Sequence, residues 1–407
     1  MAAETIAAST RAILAGHAAL RARLATSLRA GRAAHACLFS GPSGIGKTAV
    51  ALEYARLLLC DAAGSQPCES CMQCEATRTL QHPDLHLVFP YPPGAIKVKK
   101  SGNEPEEIDE SGIVDKVSEL IASIAADPFT ATQIDEGESK SKARARLFSH
   151  SVRLPQIRSL LRKVSRRAYQ ASRKVYVIFH AESMNTQAQN ALLKALEEPP
   201  PDGYFLLVAE NDQDLLPTIR SRCQLIRLGK LNSEVIASAL ESDGVPSEQA
   251  SIASKLADGS FLRARELSTQ ELSALQTDVI DYLVESARCD ALELPKTVQK
   301  VQERLYSTDR SYFDFLNLFF RDAALYSALA KDASDKLVFR DLEDRIARVG
   351  KAYPEADFDA VMNAVDKSAE YISLGYTPDL VLYALSVRIH QALGRRAGKA
   401  PKHRMDN

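Results

Sequence analysis

The chain has 407 residues, 45% of them hydrophobic and 25% charged, the balance of a folded globular protein and not of a disordered one. Its 51 Lys and Arg are offset by 52 Asp and Glu, which excludes a globally basic nucleic-acid binder while leaving room for a local basic patch. Trp is absent and aromatics make up 6%, which argues against a broad base-stacking platform.

The length predicts two to four domains at ~100–200 residues each. No apolar run reaches the ~18 residues of a transmembrane helix. The Ala-rich N-terminus carries Glu4 and lacks a continuous apolar stretch, so it reads as mature protein and not as a signal peptide. With seven cysteines and no secretion signal, a reducing, cytoplasmic setting is expected, where clustered cysteines signal metal more than disulfides.

In chain order, Ile13, Leu14, Leu20, Leu24 and Leu28 recur at helical spacing and predict a helix over 10–35. Ala36 to Ser40 reads as a short buried strand running into a Gly-rich turn, and AVALEYARLLLC as an apolar helix ending near Cys60. This strand–loop–helix opens an α/β nucleotide-binding domain. HPDLHLVFP (82–90) predicts the next strand, and the segment 91–146 reads as an insertion with a short amphipathic helix at 113–126. An amphipathic helix follows at 151–170, a buried strand at 174–179, a helix at 184–198 stopped by Pro199 to Pro201, and a buried strand at 203–210. From about Gly229 the pattern is helical to about Leu393, interrupted at ADGS (257–260), and the tail is basic and polar.

Gly41-Pro-Ser-Gly44-Ile-Gly46-Lys47-Thr48 matches G-x-x-x-x-G-K-[ST] in full, after a strand and before a helix. Such a loop wraps phosphates with backbone N–H groups at a helix N-terminus. Lys47 would pair with β/γ oxygens and Thr48 would ligate Mg²⁺, with ATP or ADP as the nucleotide. Hydrolysis needs a carboxylate at the end of a neighbouring strand. The strand at 174–178 is followed by Phe179 and His180, and neither suits that hard ion. Glu182 lies just beyond and is the one nearby substitute, so the site is expected to bind nucleotide and to hydrolyse it poorly or not at all.

Cys60, Cys68, Cys71 and Cys74 place four thiolates within 15 residues. Their overlapping C-x-x-C steps suit a closed, structural Zn²⁺ with four sulfur ligands; an iron–sulfur cluster and a disulfide pair are the alternatives. His82 and His86 are spare ligands nearby, and Cys37, Cys223 and Cys289 are isolated. Arg158, Arg162, Arg166 and Arg167 fall at roughly helical spacing, with Arg173 and Lys174 behind them. They form either a phosphate-contacting stripe or a solvated helix face.

The P-loop, the four cysteines, NALLKALEEPP and then TIRSRC, in this order, resemble the bacterial DNA polymerase III clamp-loader subunits of the AAA+ class. The resemblance spans roughly 10–90 and 150–270. The insertion 91–146 departs from it, and the first cysteine gap is one residue shorter than the family's. Within the family, Phe179-His180 is similar to the delta-prime branch and unlike the gamma/tau motor branch, which carries an Asp-Glu pair there. The resemblance implies an α/β AAA+ P-loop domain with a parallel sheet over 1–229, holding the zinc module 60–74 and the insertion 91–146. It further implies a helical lid at 230–272, an all-α collar at 273–395 and a basic tail at 396–407.

By the same resemblance, Arg222 of Ser221-Arg222-Cys223 is an arginine finger acting in a neighbouring subunit's ATP site, with Arg220 as second candidate. Ala209-Glu210 stands where the motor branch has Thr residues. Arg263 matches the lid arginine facing nucleotide, and His17, beside Gly16, is an adenine-pocket candidate. The implied function is a non-hydrolysing stator of the sliding-clamp loader within a DNA polymerase III holoenzyme. Its implied partners are gamma/tau, delta, the sliding clamp and primer–template DNA, with no membrane. Three alternatives stay open: an active gamma/tau-like motor rescued by Glu182, a structural adaptor with an empty P-loop, and a P-loop nucleic-acid enzyme whose insert builds its own site. The insert holds no Cys and offers no catalytic constellation for the last.

Overall fold

The computed structural model describes residues 8–62, 64–91, 97–99, 107–109, 114–130, 150–164, 166–269, 272–289, 291–305, 311–329, 337–339 and 342–394. Much of the insertion read at 91–146, and all of the basic tail at 396–407, lies outside them. The described residues fall into two compact units, within 1–244 plus 259–263 and within 245–258 plus 264–407.

The first unit is built on a five-stranded, all-parallel sheet of order β2-β5-β6-β1-β7. Its strands are β1 Ala36–Ser40, β2 Leu85–Val88, β5 Lys174–Ile178, β6 Gly203–Ala209 and β7 Gln224–Arg227. The short β3 Lys97–Lys99 and β4 Glu107–Asp109 form a separate antiparallel pair in the insertion. The apolar runs of β1, β5 and β6 have a physical reason: alternate side chains enter different layers. Leu38, Tyr176, Ile178, Phe205 and Leu207 pack in one core with Ile157, Leu160, Leu192 and Leu196 of the helices Leu154–Val164 and Thr186–Glu197. Phe39 points the other way, its ring 6.4 Å from Tyr54 of the helix Lys47–Leu59. Cys37 is fully buried, a core residue beside the phosphate loop.

Two expected helices are shorter than their sequence pattern. The helix expected over 10–35 is divided at His17 into Ala8–Gly16 and Ala18–Arg29. The reason is tertiary. Gly16 lies against Val235 and Leu231, where an added Cβ would come within 3.0 and 3.2 Å, and the His17 ring turns to the phosphate loop. The helix expected over 151–170 ends at Val164. There the buried Lys174 ammonium donates to the carbonyls of Lys163 and Arg166 at 2.7 and 3.0 Å. The buried Asp84 carboxylate accepts the N–H groups of Tyr169, Gln170 and Ala171 at 2.7, 2.7 and 2.8 Å. The insertion's helix runs Val114–Ala126, one residue from the expected start.

The second unit is helical among its described residues, with helices Ser247–Leu256, Leu272–Arg288, Leu294–Leu305, Ser311–Leu329, Glu343–Ala352, Phe358–Ser373 and Pro378–Leu393. Its core includes Tyr282, Phe315, Phe320, Val365, Leu382 and Ile389. Two buried polar groups inside it are paired: Tyr282 donates to the Leu382 carbonyl at 2.7 Å, and Asp322 accepts from the N–H groups of Val338 and Phe339 at 2.7 and 3.0 Å. No described helix is long and apolar enough to cross a membrane.

Candidate nucleotide site, arginine motif and cysteine centre

The phosphate loop links β1 to the helix Lys47–Leu59 at the carboxyl end of the sheet, where the strand order reverses and α/β proteins place ligands. Gly44 and Gly46 have φ of +74° and +95°, a region costly for other residues. A Cβ at Gly44 would stand 2.1 Å from Ser260 Oγ, and one at Gly46 2.9 Å from Ile13. Lys47, the first residue of the helix, is buried and donates to the Pro42 carbonyl at 2.6 Å. Burial pushes its pKa down, while the charges of Glu210 and then Glu182 push it up. Thr48 is half-buried on the same first turn. The loop is held on two further sides: His17 Nε2 lies 2.7 Å from the Ile45 carbonyl, and the Phe261 N–H donates to the Gly44 carbonyl at 2.9 Å. Arg263 follows two residues later, half-buried, its N–H 3.3 Å from Ser260 Oγ. Phe129 of the insertion packs edge-on against Phe261 at 4.8 Å.

Phe179, just past β5, is fully buried and stacks on Phe89 with ring centroids 4.8 Å apart and planes 4° apart. It is an interior packing residue. His180 adopts the left-handed region (φ +47°), and its Nδ1 lies 3.3 Å from Glu182 Oε1. The other carboxylate oxygen of Glu182 is buried without a hydrogen-bond partner. Glu210, at the end of β6, is the stronger of the two carboxylate influences on Lys47. In sequence Glu182 is the one nearby replacement acid; the pairing of β6 with β1 adds the charge of Glu210 to the surroundings of Lys47.

The Ser221-Arg222-Cys223 motif follows the one-turn helix Pro217–Arg220. The turn is fixed by Gln189, whose Oε1 accepts the Leu216 N–H at 2.8 Å. Arg222 is partly exposed, donates to the Thr218 carbonyl at 2.9 Å and pairs with Glu197 at 2.6 Å. Arg220 is engaged with Gln213. Cys223 is buried, which pushes its thiol up to about 12.

Cys60 ends the phosphate-loop helix and Cys71 caps the helix Met72–Arg78. The four sulfurs of Cys60, Cys68, Cys71 and Cys74 lie within 4.8 Å of one another, with Cys68 and Cys74 at 3.9 Å. A tetrahedron with 2.3 Å metal–sulfur bonds has edges of about 3.8 Å. The set therefore fits a tetrathiolate metal, and all four cysteines are free of disulfides. The sulfurs are supplied with donors. Cys60 accepts the N–H groups of Ala62 and Cys68 at 3.4 and 3.5 Å, and Cys71 accepts that of Cys74 at 3.4 Å. N–H groups of Ser70 and Cys71 hold the Cys68 thiol down to about 6, whereas burial pushes those of Cys60 and Cys74 up. Arg56, whose Nε is buried without a partner, is lowered by burial and raised by the charge of Cys74; this cation suits a centre of net negative charge.

The spare histidines are used elsewhere. His82 is buried, with one ring nitrogen 2.6 Å from Gln73 Oε1 and the other accepting the Asp84 N–H at 3.0 Å. His86 stacks on Tyr176 at 5.2 Å. Burial raises the Asp84 carboxyl, but its three backbone donors and His82 outweigh this and hold it below the usual range.

The basic stripe divides. Arg158 and Arg162 lie on the exposed side of the helix Leu154–Val164, while Arg166 and Arg167 are exposed on the following turn. Arg173 donates to the Leu58 carbonyl at 3.0 Å, and Lys174 is buried as a helix stop. The expectation of one continuous helical stripe is thus corrected, because Asp84 and Lys174 terminate the helix.

A family model described as "DNA polymerase III, delta subunit" matches residues 16–232. DNA polymerase III subunit delta' of Bacillus subtilis is 29% identical over 248 residues, covering 61% of this chain and 58% of that protein. DNA polymerase III subunit gamma/tau of Mycobacterium tuberculosis is 28% identical over 373 residues, covering 83% of this chain and 54% of that protein. The solved structure of a gamma-subunit-related protein from Thermotoga maritima is 14% identical, covers 91% of this chain and 99% of its own, and has a TM-score of 0.32. The chain spans between half and three-fifths of the length of the delta' relatives it matches.

Proposed function

Because the chain belongs to the DNA polymerase III delta-subunit family, we propose that it is a delta-prime-type stator of the sliding-clamp loader, one that does not itself hydrolyse ATP. The observation that carries this reading is the end of β5. Phe179 is committed to stacking in the core, so no carboxylate directly follows the strand to hold a Mg²⁺ water shell or orient an attacking water. In this reading the backbone of Gly41, Gly44 and Gly46 and the ammonium of Lys47 hold phosphates, and Thr48 meets the ion. Arg263 and His17 border the nucleotide. The four cysteines hold a structural Zn²⁺, which keeps the start of the module at the far end of the phosphate-loop helix.

Arg222 acts in trans. Its present ties are a partly exposed ion pair and one carbonyl. A surface pair is worth about 0–1 kcal/mol, whereas an arginine finger contributes about 10³–10⁵ in rate. Redeploying the guanidinium to a neighbour's γ-phosphate therefore costs little against what it supplies. The assembly is cytoplasmic and contains gamma/tau and delta; through it the chain meets the clamp and primer–template DNA. Exposed Arg158, Arg162 and Arg166 are suited to phosphate contact. The division is an AAA+ domain over 1–229, a lid over 230–272 and a collar over 273–395.

The test is ATP turnover and retained nucleotide on the purified chain with Mg²⁺. Bound nucleotide without turnover is expected; clear turnover overturns the stator reading. In a reconstituted loader, Arg222→Ala is expected to lower DNA-stimulated ATPase by about 10³-fold or more with no loss of folded protein. Unchanged ATPase removes the finger. A second reading, an active motor, rests on the buried, unpartnered oxygen of Glu182 beside the loop. It requires turnover that Glu182→Gln abolishes.

A further inference from the structure

The helical unit carries a groove that the nucleotide, arginine and cysteine sites do not use. It encloses about 480 Å³, within the ~300–1,000 Å³ of ligand-binding clefts. One wall is the helix Leu272–Arg288 from Ile280 to Arg288, and the other runs from Arg345 to Tyr353 on and just after the helix Glu343–Ala352. Phe319 and Phe320 of the helix Ser311–Leu329 form the floor. Each wall presents about 12 Å of helix, two turns and more. The matched family region ends at residue 232, well before any of these residues.

The lining is apolar below and cationic at the rim. Val284 is 40% exposed on the first wall. Arg288, Arg345 and Arg348 stand around the opening. Arg288 meets Glu285 at 3.2 Å, and Arg348 donates to the Asp344 carbonyl of its own helix at 3.1 Å. Among the described residues, Arg345 and Arg348 make no ion pair with a carboxylate. The acidic lining residue, Asp281, faces Lys300 at 3.8 Å. An apolar floor between two helices suits a third helix that inserts side chains at i, i+3, i+4 and i+7. Guanidinium groups without counter-ions select acidic flanks on that helix and reject basic ones. The chain's own tail follows Leu393, which also lines the groove, but carries Arg395, Arg396, Lys399, Lys402 and Arg404 against the single acid Asp406; its charge is wrong for this rim.

We infer that this groove docks an acidic amphipathic helix from another protein chain. The inference is independent of the nucleotide chemistry, so its failure and that of the stator reading are separable. The probe is a fluorescein-labelled synthetic helix with Leu at i, i+3, i+4 and i+7 and Glu at the flanking positions, with a twin in which every Glu is Lys. Binding to the full chain is read by fluorescence anisotropy. The Glu helix is expected to bind about tenfold or more tightly than the Lys twin, and Arg345→Glu with Arg348→Glu to reverse that order. Val284→Asp is expected to weaken both. Both arginines are exposed, so the charge swap leaves the core intact, and circular dichroism verifies it. No binding by the Glu helix, equal binding of the twins, or a preference indifferent to the charge swap overturns the inference.

Discussion

The helix Lys47–Leu59 joins two sites of opposite character. Its C-terminal end hands over to a cysteine centre whose four ligands lie within 15 residues and converge through local turns and backbone N–H···S bonds. Its N-terminal end forms a phosphate loop that is completed from a distance, by His17 before it and by Glu182, Glu210 and the segment from Ser260 to Arg263 far after it. A site whose parts are neighbours in sequence depends on its own turns; a site assembled across the sheet depends on the whole unit.

The cysteine end of the helix is where a single substitution is expected to cost most. Structural zinc sites in small modules contribute about 10–16 kcal/mol of apparent binding free energy. Cys71→Ser is therefore expected to drop bound zinc from about one per chain to a small fraction, by elemental analysis, and to lower the Tm. Nucleotide retention at the other end of the helix should survive; its loss would show that the two ends form one cooperative site.

The next effect sharpens the phosphate end. Gly44→Ala places a methyl against Ser260 Oγ and forces a positive φ, at a cost of about 1–3 kcal/mol. Urea denaturation should register that loss, retained nucleotide should fall, and zinc content should not change. A variant as stable as the parent would mean that the Ser260 contact does not constrain the loop.

The effect that is smallest at neutral pH concerns β2, the edge strand of the sheet that follows the cysteine module. Burial pushes His86 down to about 4, whereas an unfolded His titrates near 6.5. The unfolded chain therefore binds more protons in that window, and stability falls as pH drops from about 6.5 to about 4. His86→Phe removes this contribution and should flatten the slope of Tm against pH. An unchanged slope would assign the dependence to other groups.

Much of this architecture was legible in the sequence, for identifiable reasons. β1, β5 and β6 read as apolar runs because a parallel sheet covered on both faces leaves no polar side to a central strand. The P-loop and cysteine set were legible because their spacing is their geometry. The break at His17 was not, since a helical apolar period crosses it unchanged; the contacts of Gly16 with Leu231 and Val235 impose it. The end of the basic helix at Val164 was also hidden, because its stops, Asp84 and Lys174, lie outside the helix in sequence.

Residue types and their spacing are enough to supply the chemistry: a phosphate loop with lysine and threonine, four thiolates, a Ser-Arg-Cys turn, and no acid directly after β5. How those groups are used depends on the packing of the fold. That packing buried Phe179 against Phe89, gave His82 to Gln73 and Asp84, set the charge of Glu210 to act on Lys47, and seated Phe261 on the carbonyl of Gly44. Residue type and local spacing fix what a side chain can do, but partners distant in sequence meet only through strand order and helix packing.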